Sequence, residues 1–580
     1  MKKRYFLFLI TLCFTVSVQA QWSVLNTDSV PKGTAFKYQP FSKEEWNASN
    51  FATPAQMKWF QNARYGMFIH FGLSAYVKKD LSWAICYTRK TPDKGHGAYP
   101  DSVWQSWPAH FKLEDFNADE WVKTAIDAGM KYIVVIAKHH DGFHMWDTKY
   151  SDFKITNTPF GKDYLKLLAD ACHKAKMPLG IYYSQRDWYN PDYAPVDTAK
   201  SGKNSPTGKI VPGESHKKYI AYQYNVLREL CTNYGKVDIM WFDAAWWNKM
   251  FTADMWDSEN LTRMIRKLQP GIIINNRASI PGDFDTPEQV IGNYQERPWE
   301  SCLTLNGSWA YSDKPNKTKK QLVHEILSAA QGNGNVLLSW GAYWNGVFDS
   351  TQKKLLLDIG QWVKKYGFAY YGTKGGPWMP GKWGGATYKG NKVYLYVYDW
   401  ENSKKILPAI EGNKILQAKY VNSSDKKQVV TIVNKEWIFN APSNPDSIAT
   451  IIEVTLQKPV TKAISSKNKS TFDGLEYGSL LKQNKNVKAK EWNNGTYIID
   501  LSKEYSVTGI AINNLNKQLE VSISIDGKKW EAVGKATQSK NEIIITEFNA
   551  GVNVLGKKAR YIQLKSAEVI DGMEFAVYGK

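Results

Sequence analysis

The sequence predicts a parallel (β/α) barrel followed by two β-rich domains. Three observations carry the prediction. From about Phe51 to Gly367, short apolar runs alternate with helical segments, as in repeated strand–helix units. Within that stretch His70, His139, His140, Ser184, Asp243 and Arg277 stand at the ends of apolar runs, and a barrel brings such ends to one mouth. After Gly372 the alternation gives way to glycine-punctuated short β runs. A doubly wound open sheet is the alternative, but no Gly-rich phosphate loop follows the first strand.

Met1 to Ala20 reads as a secretory signal peptide. Lys2, Lys3 and Arg4 precede an apolar run, and Val18-Gln19-Ala20 offers a cleavage site after Ala20. Leu12 stands before Cys13 where a lipoprotein signal wants a small residue, so no lipid anchor is expected. The barrel domain is assigned to 21–371. Its first strand is Tyr65 to Gly72, and helix Asn117 to Gly129 has an Asn N-cap and a Gly exit. Strand Tyr132 to Ala137 runs into Lys138-His139-His140-Asp141-Gly142. Helix Asp163 to Lys176, strand Leu179 to Ser184, helix His216 to Tyr234 and strand Val237 to Asp243 follow. Helix Ala253 to Leu268, strand Ile272 to Ile274, an irregular stretch to Trp309, helix Lys320 to Gln331, strand Val336 to Leu338 and helix Thr351 to Tyr366 complete the domain. Residues 372–457 read as an antiparallel β-sandwich, 458–473 as a polar linker and 474–580 as a further β domain.

Composition excludes several classes. Apolar content of 43% and 14% aromatics do not describe a disordered chain. Removing the three leader cations from the formal +20 leaves about +17 on the mature protein, carried by scattered lysines. A nucleic-acid binder would need a clustered basic stripe and a matching motif, and neither is present. Past the leader, no stretch is apolar enough to span a bilayer. Cys86, Cys172, Cys231 and Cys302 lack CxxC spacing, so neither a disulfide framework nor a zinc site is indicated. The oligomeric state is left open.

The strand Val237 to Asp243 sets the chemistry. Side chains alternate along a strand, so Val237, Ile239, Trp241 and Asp243 share one face. A carboxylate closing an apolar strand is costly to bury unless it is paired or used. Glycoside hydrolysis needs two carboxyl groups, about 5 Å apart in retaining enzymes. Asp243 is the nucleophile candidate, and Glu288, Glu296 and Glu300 are eligible partners. A metal site is the competing reading, from His139, His140, Asp141 and His144 with His70 in reach. Against it, adjacent strand residues point to opposite faces, so His139 and His140 are not expected to chelate one ion. Neutral imidazoles both donate and accept, which suits sugar hydroxyls.

Tyr65 to Gly72, Lys138 to Phe143, Trp241-Phe242-Asp243, Pro298-Trp299-Glu300 and Ser308 to Tyr311 together resemble the ordered motifs of glycoside hydrolase family 29, the retaining α-L-fucosidases. The resemblance covers roughly Phe51 to Leu456. It implies Asp243 as nucleophile, with His70, Trp83, His139, His140, Tyr183, Trp241 and Arg277 around the sugar. The Thr-Pro-Glu form at Glu288 is similar to one group's acid/base, and Glu300 is the runner-up. No catalytic cofactor or metal is implied, and the expected partner is a fucosylated glycan.

Many members carry a Glu-Trp pair where this chain has Ser82-Trp83, unless Asp80 supplies the carboxylate. Phe71 and Ala244 stand where Trp and Gly are common. These departures bear on the sugar, and an α-L-galactoside is the alternative substrate. Two rivals come from different functional classes: a degenerate, non-catalytic sugar-binding barrel and a metal-dependent hydrolase. Residues 474–580, through Ser522 to Trp530 and Ala559 to Ile562, resemble discoidin-type jelly rolls, which often bind glycans and some of which hold a structural calcium ion. Together with the leader, the expectation is an exported, periplasmic or extracellular, enzyme.

Overall fold

The computed structural model describes residues 51–580 except 79–80, 87–94, 96, 194–213, 244–252, 293, 295–296, 379, 382, 401–402, 434–435, 462–478, 514–517, 537–549 and 580. The leader, Asp80, Ala244, Glu296 and most of the 458–473 linker fall outside the described residues.

Among the described residues seven parallel strands form the first sheet: β1 (Tyr65–Ile69), β2 (Ile133–Lys138), β3 (Leu179–Ser184), β4 (Ile239–Asp243), β5 (Ile273–Ile274), β6 (Glu300–Thr304) and β7 (Asn335–Trp340). Their spatial order is β5-β4-β3-β2-β1-β7-β6. All are buried along their whole length, because helices cover one face and the strands' own side chains fill the other. Phe68, Val134, Ile136, Tyr182, Ile239, Trp241, Ile273, Cys302 and Leu337 make one inner cluster. Met67, Val135, Ile181, Met240 and Phe242 face a larger cluster shared with the helices. No ladder joins β5 to β6 among the described residues. The seam is carried by single parallel bridges, Asn275 to Phe284, Asp285 to Trp299 and Glu288 to Cys302. Phe284 adds its ring to the inner cluster. The expected barrel is therefore a curled seven-stranded sheet whose edges meet through an irregular segment.

Several of the helices begin where side-chain caps meet orphan backbone N–H groups. The first, α1 (Pro54–Ala63), has a capping box between Thr53 and Gln56. Asn117 caps α2 (Ala118–Asp127) and Asp163 caps α3 (Tyr164–Lys174). Then follow α4 (Glu214–Thr232), α5 (Ser258–Leu268), α6 (Lys319–Gln331) and α7 (Ser350–Tyr366). The expected single helix from Ala253 to Leu268 is broken at Asp257, whose φ of 50° is left-handed. The stretch expected to be irregular contains β6, missed because it opens on Glu300-Ser301 rather than on an apolar run.

The next domain has two antiparallel sheets, in the orders β12-β15-β10-β9-β8 and β11-β14-β13. Its strands are β8 (Lys374–Gly375), β9 (Gly384–Lys389), β10 (Lys392–Val397), β11 (Lys404–Pro408), β12 (Ile415–Tyr420), β13 (Val430–Val433), β14 (Glu436–Asn440) and β15 (Thr450–Leu456). Trp378, Trp437, Phe439, Leu395 and Ile452 share its core. It docks on α6: the His324 ring stacks on Tyr398 at 3.9 Å, and its Nε2 lies 2.6 Å from the Ile448 carbonyl. The last domain comprises β16 (Ser479–Val487), β17 (Thr496–Asn513), β18 (Leu519–Ser524), β19 (Glu531–Ala536), β20 (Ala550–Lys565) and β21 (Met573–Gly579). Where a two-sheet jelly roll is expected, hydrogen bonding among the described residues gives one six-stranded antiparallel sheet, β16-β21-β17-β20-β18-β19. Register shifts near Asp500 and Val507 interrupt the long β17–β20 pair, the kind of irregularity that bends a sheet.

Candidate active site

A cavity of about 350 Å³ opens at the carboxyl ends of the strands. That volume includes the solvent-filled mouth of the cleft, and aromatic, imidazole and carboxylate side chains line it together. Phe68, Tyr182 and Trp241 supply an aromatic floor, His70 and His139 two imidazoles, and Asp243, Glu288 and Arg277 the charge. Leu81, Trp83, Cys302 and Trp309 complete the lining.

Asp243 closes β4 and is buried. Its Oδ2 accepts a 2.5 Å hydrogen bond from the Tyr182 hydroxyl, and its Oδ1 accepts one of 3.1 Å from Arg277 Nη1. Burial pushes its pKa up, and Arg277 and the Tyr182 bond oppose that shift. Arg277, in the turn after β5, is aimed by Thr286, whose Oγ1 accepts its Nε at 2.9 Å. Its second arm reaches Glu288 Oε2 at 2.7 Å, and its plane lies 4.8 Å over the Trp241 ring. One guanidinium therefore holds both carboxylates. Asp243 is the deep one, while the Glu288 side chain, 41% exposed, stands at the solvent side.

Three imidazoles surround this pair. His70 follows β1, and its Nδ1 is 2.8 Å from Ser339 Oγ. His139 Nδ1 is 2.6 Å from Ser82 Oγ, and His140 Nδ1 is 2.6 Å from Ser184 Oγ. Burial drives all three towards the neutral form: His70 down to about 3, and His139 and His140 well below the usual histidine value. Trp83 is half-buried and meets the His140 ring edge-on at 5.1 Å.

Several expectations change here. Tyr183 points away from the cavity, its ring 4.7 Å from Lys138 Nζ and edge-on to Phe242. Its neighbour Tyr182 lines the cavity, because it pairs with Trp241 in register while Ser184 pairs with Asp243. A slip of one residue reverses the face, and counting back by twos from Ser184 would have found it. Glu300 is buried beneath Trp241 and outside the cavity lining. It accepts the indole Nε1–H at 3.0 Å and the Tyr132 hydroxyl. Two donors fill its oxygens, so it is poorly placed to protonate a leaving group, and burial pushes its pKa up to about 7. Trp309, which packs on His70 at 5.1 Å, and Cys302 join the site without having been singled out for it.

The five-membered metal cluster does not assemble. His144 turns to Tyr222, 2.5 Å away, and Asp141 accepts the Trp104 indole at 3.0 Å. His139 and His140 do converge, with ring centroids 3.9 Å apart, because β2 ends at Lys138 and strand alternation stops there. Ligand atoms of His139, His140 and Asp243 lie within 4.8 Å of one another. The His140 Nε2–Asp243 Oδ2 distance of 4.0 Å exceeds the roughly 3.3 Å that two ligands of a tetrahedral zinc would span. Arg277 already meets the Asp243 charge.

Comparison with known proteins adds the family. The alpha-L-fucosidase family model matches residues 34–368. An alpha-L-fucosidase of Dictyostelium discoideum is 25% identical over 404 residues, 64% of this chain and 84% of that protein. The solved alpha-L-fucosidase isoenzyme 1 from Paenibacillus thiaminolyticus is 31% identical, with a TM-score of 0.59 over 70% of this chain and 99% of its own. A fucosidase of the same glycoside hydrolase family from Bacteroides thetaiotaomicron, solved as a trapped covalent intermediate, shares the fold at 23% identity and a TM-score of 0.61 over 73% of this chain and 100% of its own. A family match across the whole strand-end pocket, backed by a relative aligned over nearly its full length, leads to one conclusion: the chain belongs to the alpha-L-fucosidase family and is a glycoside hydrolase.

Proposed function

We propose that the protein is an exported retaining exo-fucosidase that removes terminal α-L-fucosyl residues from glycans, with Asp243 as nucleophile and Glu288 as acid/base. The observation that carries this reading is the Arg277 bridge, 3.1 Å to Asp243 and 2.7 Å to Glu288. It holds two carboxyl groups of different exposure at one aromatic-lined cleft. In the first step Asp243 Oδ attacks the anomeric carbon, the C–O bond to the aglycone breaks, and protonated Glu288 gives its proton to the departing oxygen. In the second step Glu288 takes a proton from water, the water oxygen bonds to the anomeric carbon, and Asp243 leaves as carboxylate. His70, His139, His140 and Trp83 orient the ring, and Arg277 keeps Asp243 ionised against its burial. Residues 474–580 would serve as a glycan-binding or structural module, and a calcium ion there is part of the same proposal. The second reading, an α-L-galactosidase, is favoured by Ser82, which places a small side chain where many members have Glu.

The test is hydrolysis of aryl α-L-fucoside and aryl α-L-galactoside by wild type and Asp243→Ala, with and without chelator. Fucoside turnover that ignores chelator and vanishes in Asp243→Ala supports the proposal. Preference for the galactoside selects the second reading, and loss with chelator overturns the metal-free mechanism.

A further inference from the structure

Two of the pocket imidazoles are bound at Nδ1 by serines whose hydroxyl protons are committed differently. A serine hydroxyl has one proton to give. Ser339 Oγ stands 2.9 Å from the Trp309 carbonyl, which can only accept, so the Ser339 proton goes there. Ser339 must then accept at its 2.8 Å contact with His70, and Nδ1 of His70 carries the hydrogen. In neutral imidazole the other nitrogen, Nε2, is left with its lone pair.

Ser82 has the opposite arrangement. Its Oγ accepts the backbone N–H of Asp141 at 3.1 Å, and its other partner is His139 Nδ1 at 2.6 Å. A backbone N–H cannot accept, so the Ser82 proton goes to His139 Nδ1. His139 then carries its hydrogen on Nε2. Both rings line the same cavity, and both serines are buried. The partners are 57 and 269 residues apart in sequence, so no local turn imposes either contact.

We propose that Ser82 and Ser339 are positioning residues that fix opposite tautomers, giving the sugar pocket one N–H donor at His139 and one lone-pair acceptor at His70. The inference rests on the fucosidase reading only for its consequence: a pocket with fixed polarity demands one hydroxyl that accepts and one that donates. It assigns Ser82 a definite task, where the sequence shows only a missing carboxylate. Loss of either serine frees its imidazole to exchange tautomers, and the population holding the wrong one cannot bind its hydroxyl.

The test is long-range ¹H–¹⁵N spectroscopy of ¹⁵N-histidine-labelled full-length protein without substrate, with resonances assigned through His70→Asn and His139→Asn. The expected result is protonation of His70 at Nδ1 and of His139 at Nε2. Ser339→Ala and Ser82→Ala should each convert their own histidine to a mixture and leave the other unchanged. Each should lower kcat/KM on aryl α-L-fucoside roughly tenfold, mainly through KM, and Ser339→Thr and Ser82→Thr should restore the spectrum and the rate. The same tautomer on both rings, or serine variants that leave the tautomers fixed, would overturn the proposal. Because the spectra read the free protein, their outcome is independent of which sugar the pocket takes.

Discussion

Replacing Tyr182 by Phe removes one hydroxyl and keeps the ring that stacks on Trp241, 5.6 Å away at 22°. The lost bond is the 2.5 Å donation to Asp243 Oδ2, made to a buried carboxylate. Tyr182 remains protonated across the working range, since burial first and the nearby Asp243 second hold its pKa well above the usual tyrosine value. Hydrogen bonds to charged groups contribute about 1.5–3 kcal/mol. At 1.36 kcal/mol per pKa unit, losing this one raises the Asp243 pKa by roughly 1–2 units. The sign is fixed: the bond favours the carboxylate, burial opposes it, and only the ionised form attacks. The acid limb of the kcat/KM profile for Tyr182→Phe should therefore move to higher pH by roughly 1–2 units. At a pH where the wild type is half-active the variant should be about 5- to 50-fold less active than wild type. On the neutral plateau it should stay within a few-fold, because Arg277 still holds Asp243. The assay is kcat/KM from pH 4 to 9 on an aryl α-L-fucoside, with the melting temperature as a check on folding. An unmoved acid limb with a lowered plateau would refute the reasoning and make Tyr182 a sugar contact instead.

The acid/base role predicts that Glu288→Ala loses about 10²–10⁴-fold on fucosides with poor leaving groups and little on activated aryl fucosides; azide should restore turnover with a retained glycosyl azide, and an equal loss on both substrates would exclude Glu288. Glu300→Gln should keep both classes of activity while changing how stability depends on pH. Burial raises the Glu300 pKa from 4.5 to about 7, so its stabilising contribution is complete below pH 4.5 and is lost as pH rises through 7. Between pH 5 and 8 the unfolding free energy from denaturant titration should fall less for the variant, by an amount on the order of 3 kcal/mol, and equal falls would remove Glu300 as the source. Gly66→Ala would put a Cβ 2.4 Å from the Tyr132 ring, in contact with the residue that holds Glu300. It should cost about 1–3 kcal/mol of stability, read from urea unfolding, and a neutral effect would mean that the ring can yield.

The parts legible in the sequence were those fixed by local pattern. Barrel strands are buried on both faces, so β1 to β4 and β7 read as unbroken apolar runs, and Asn117 and Asp163 mark helix starts through their own side chains. β6 was not legible, because its opening Glu300 is buried by partners far away in sequence, Tyr132 and Trp241. The site divides in the same way. Strand-end residues were found because topology alone brings them together. Tyr182 was missed by one position of register, and the convergence of His139 with His140 was missed because alternation was carried past Lys138, where β2 ends. The partnerships that tune the site, Ser82 with His139 and Ser339 with His70, join distant segments and leave no spacing to count.

The neutrality of the three imidazoles follows from the reaction as much as from burial. Glycoside cleavage passes through an oxocarbenium-like state that puts positive charge on the ring beside Asp243. Three protonated histidines at this distance would oppose that charge in a low-dielectric pocket, where Coulomb terms are largest. Burial disfavours their charged forms, and Arg277 adds to the effect at His140. That leaves Arg277 balanced against Asp243 and Glu288, and when Glu288 is protonated for the first step the guanidinium and Asp243 cancel. The site then meets the developing cation with a carboxylate at the anomeric carbon and dipoles elsewhere. A side chain that placed a second fixed cation on the cavity wall, such as Leu81→Arg, should lower kcat more than it raises KM. The reverse split, measured on an aryl α-L-fucoside, would mean that the imidazoles serve binding alone.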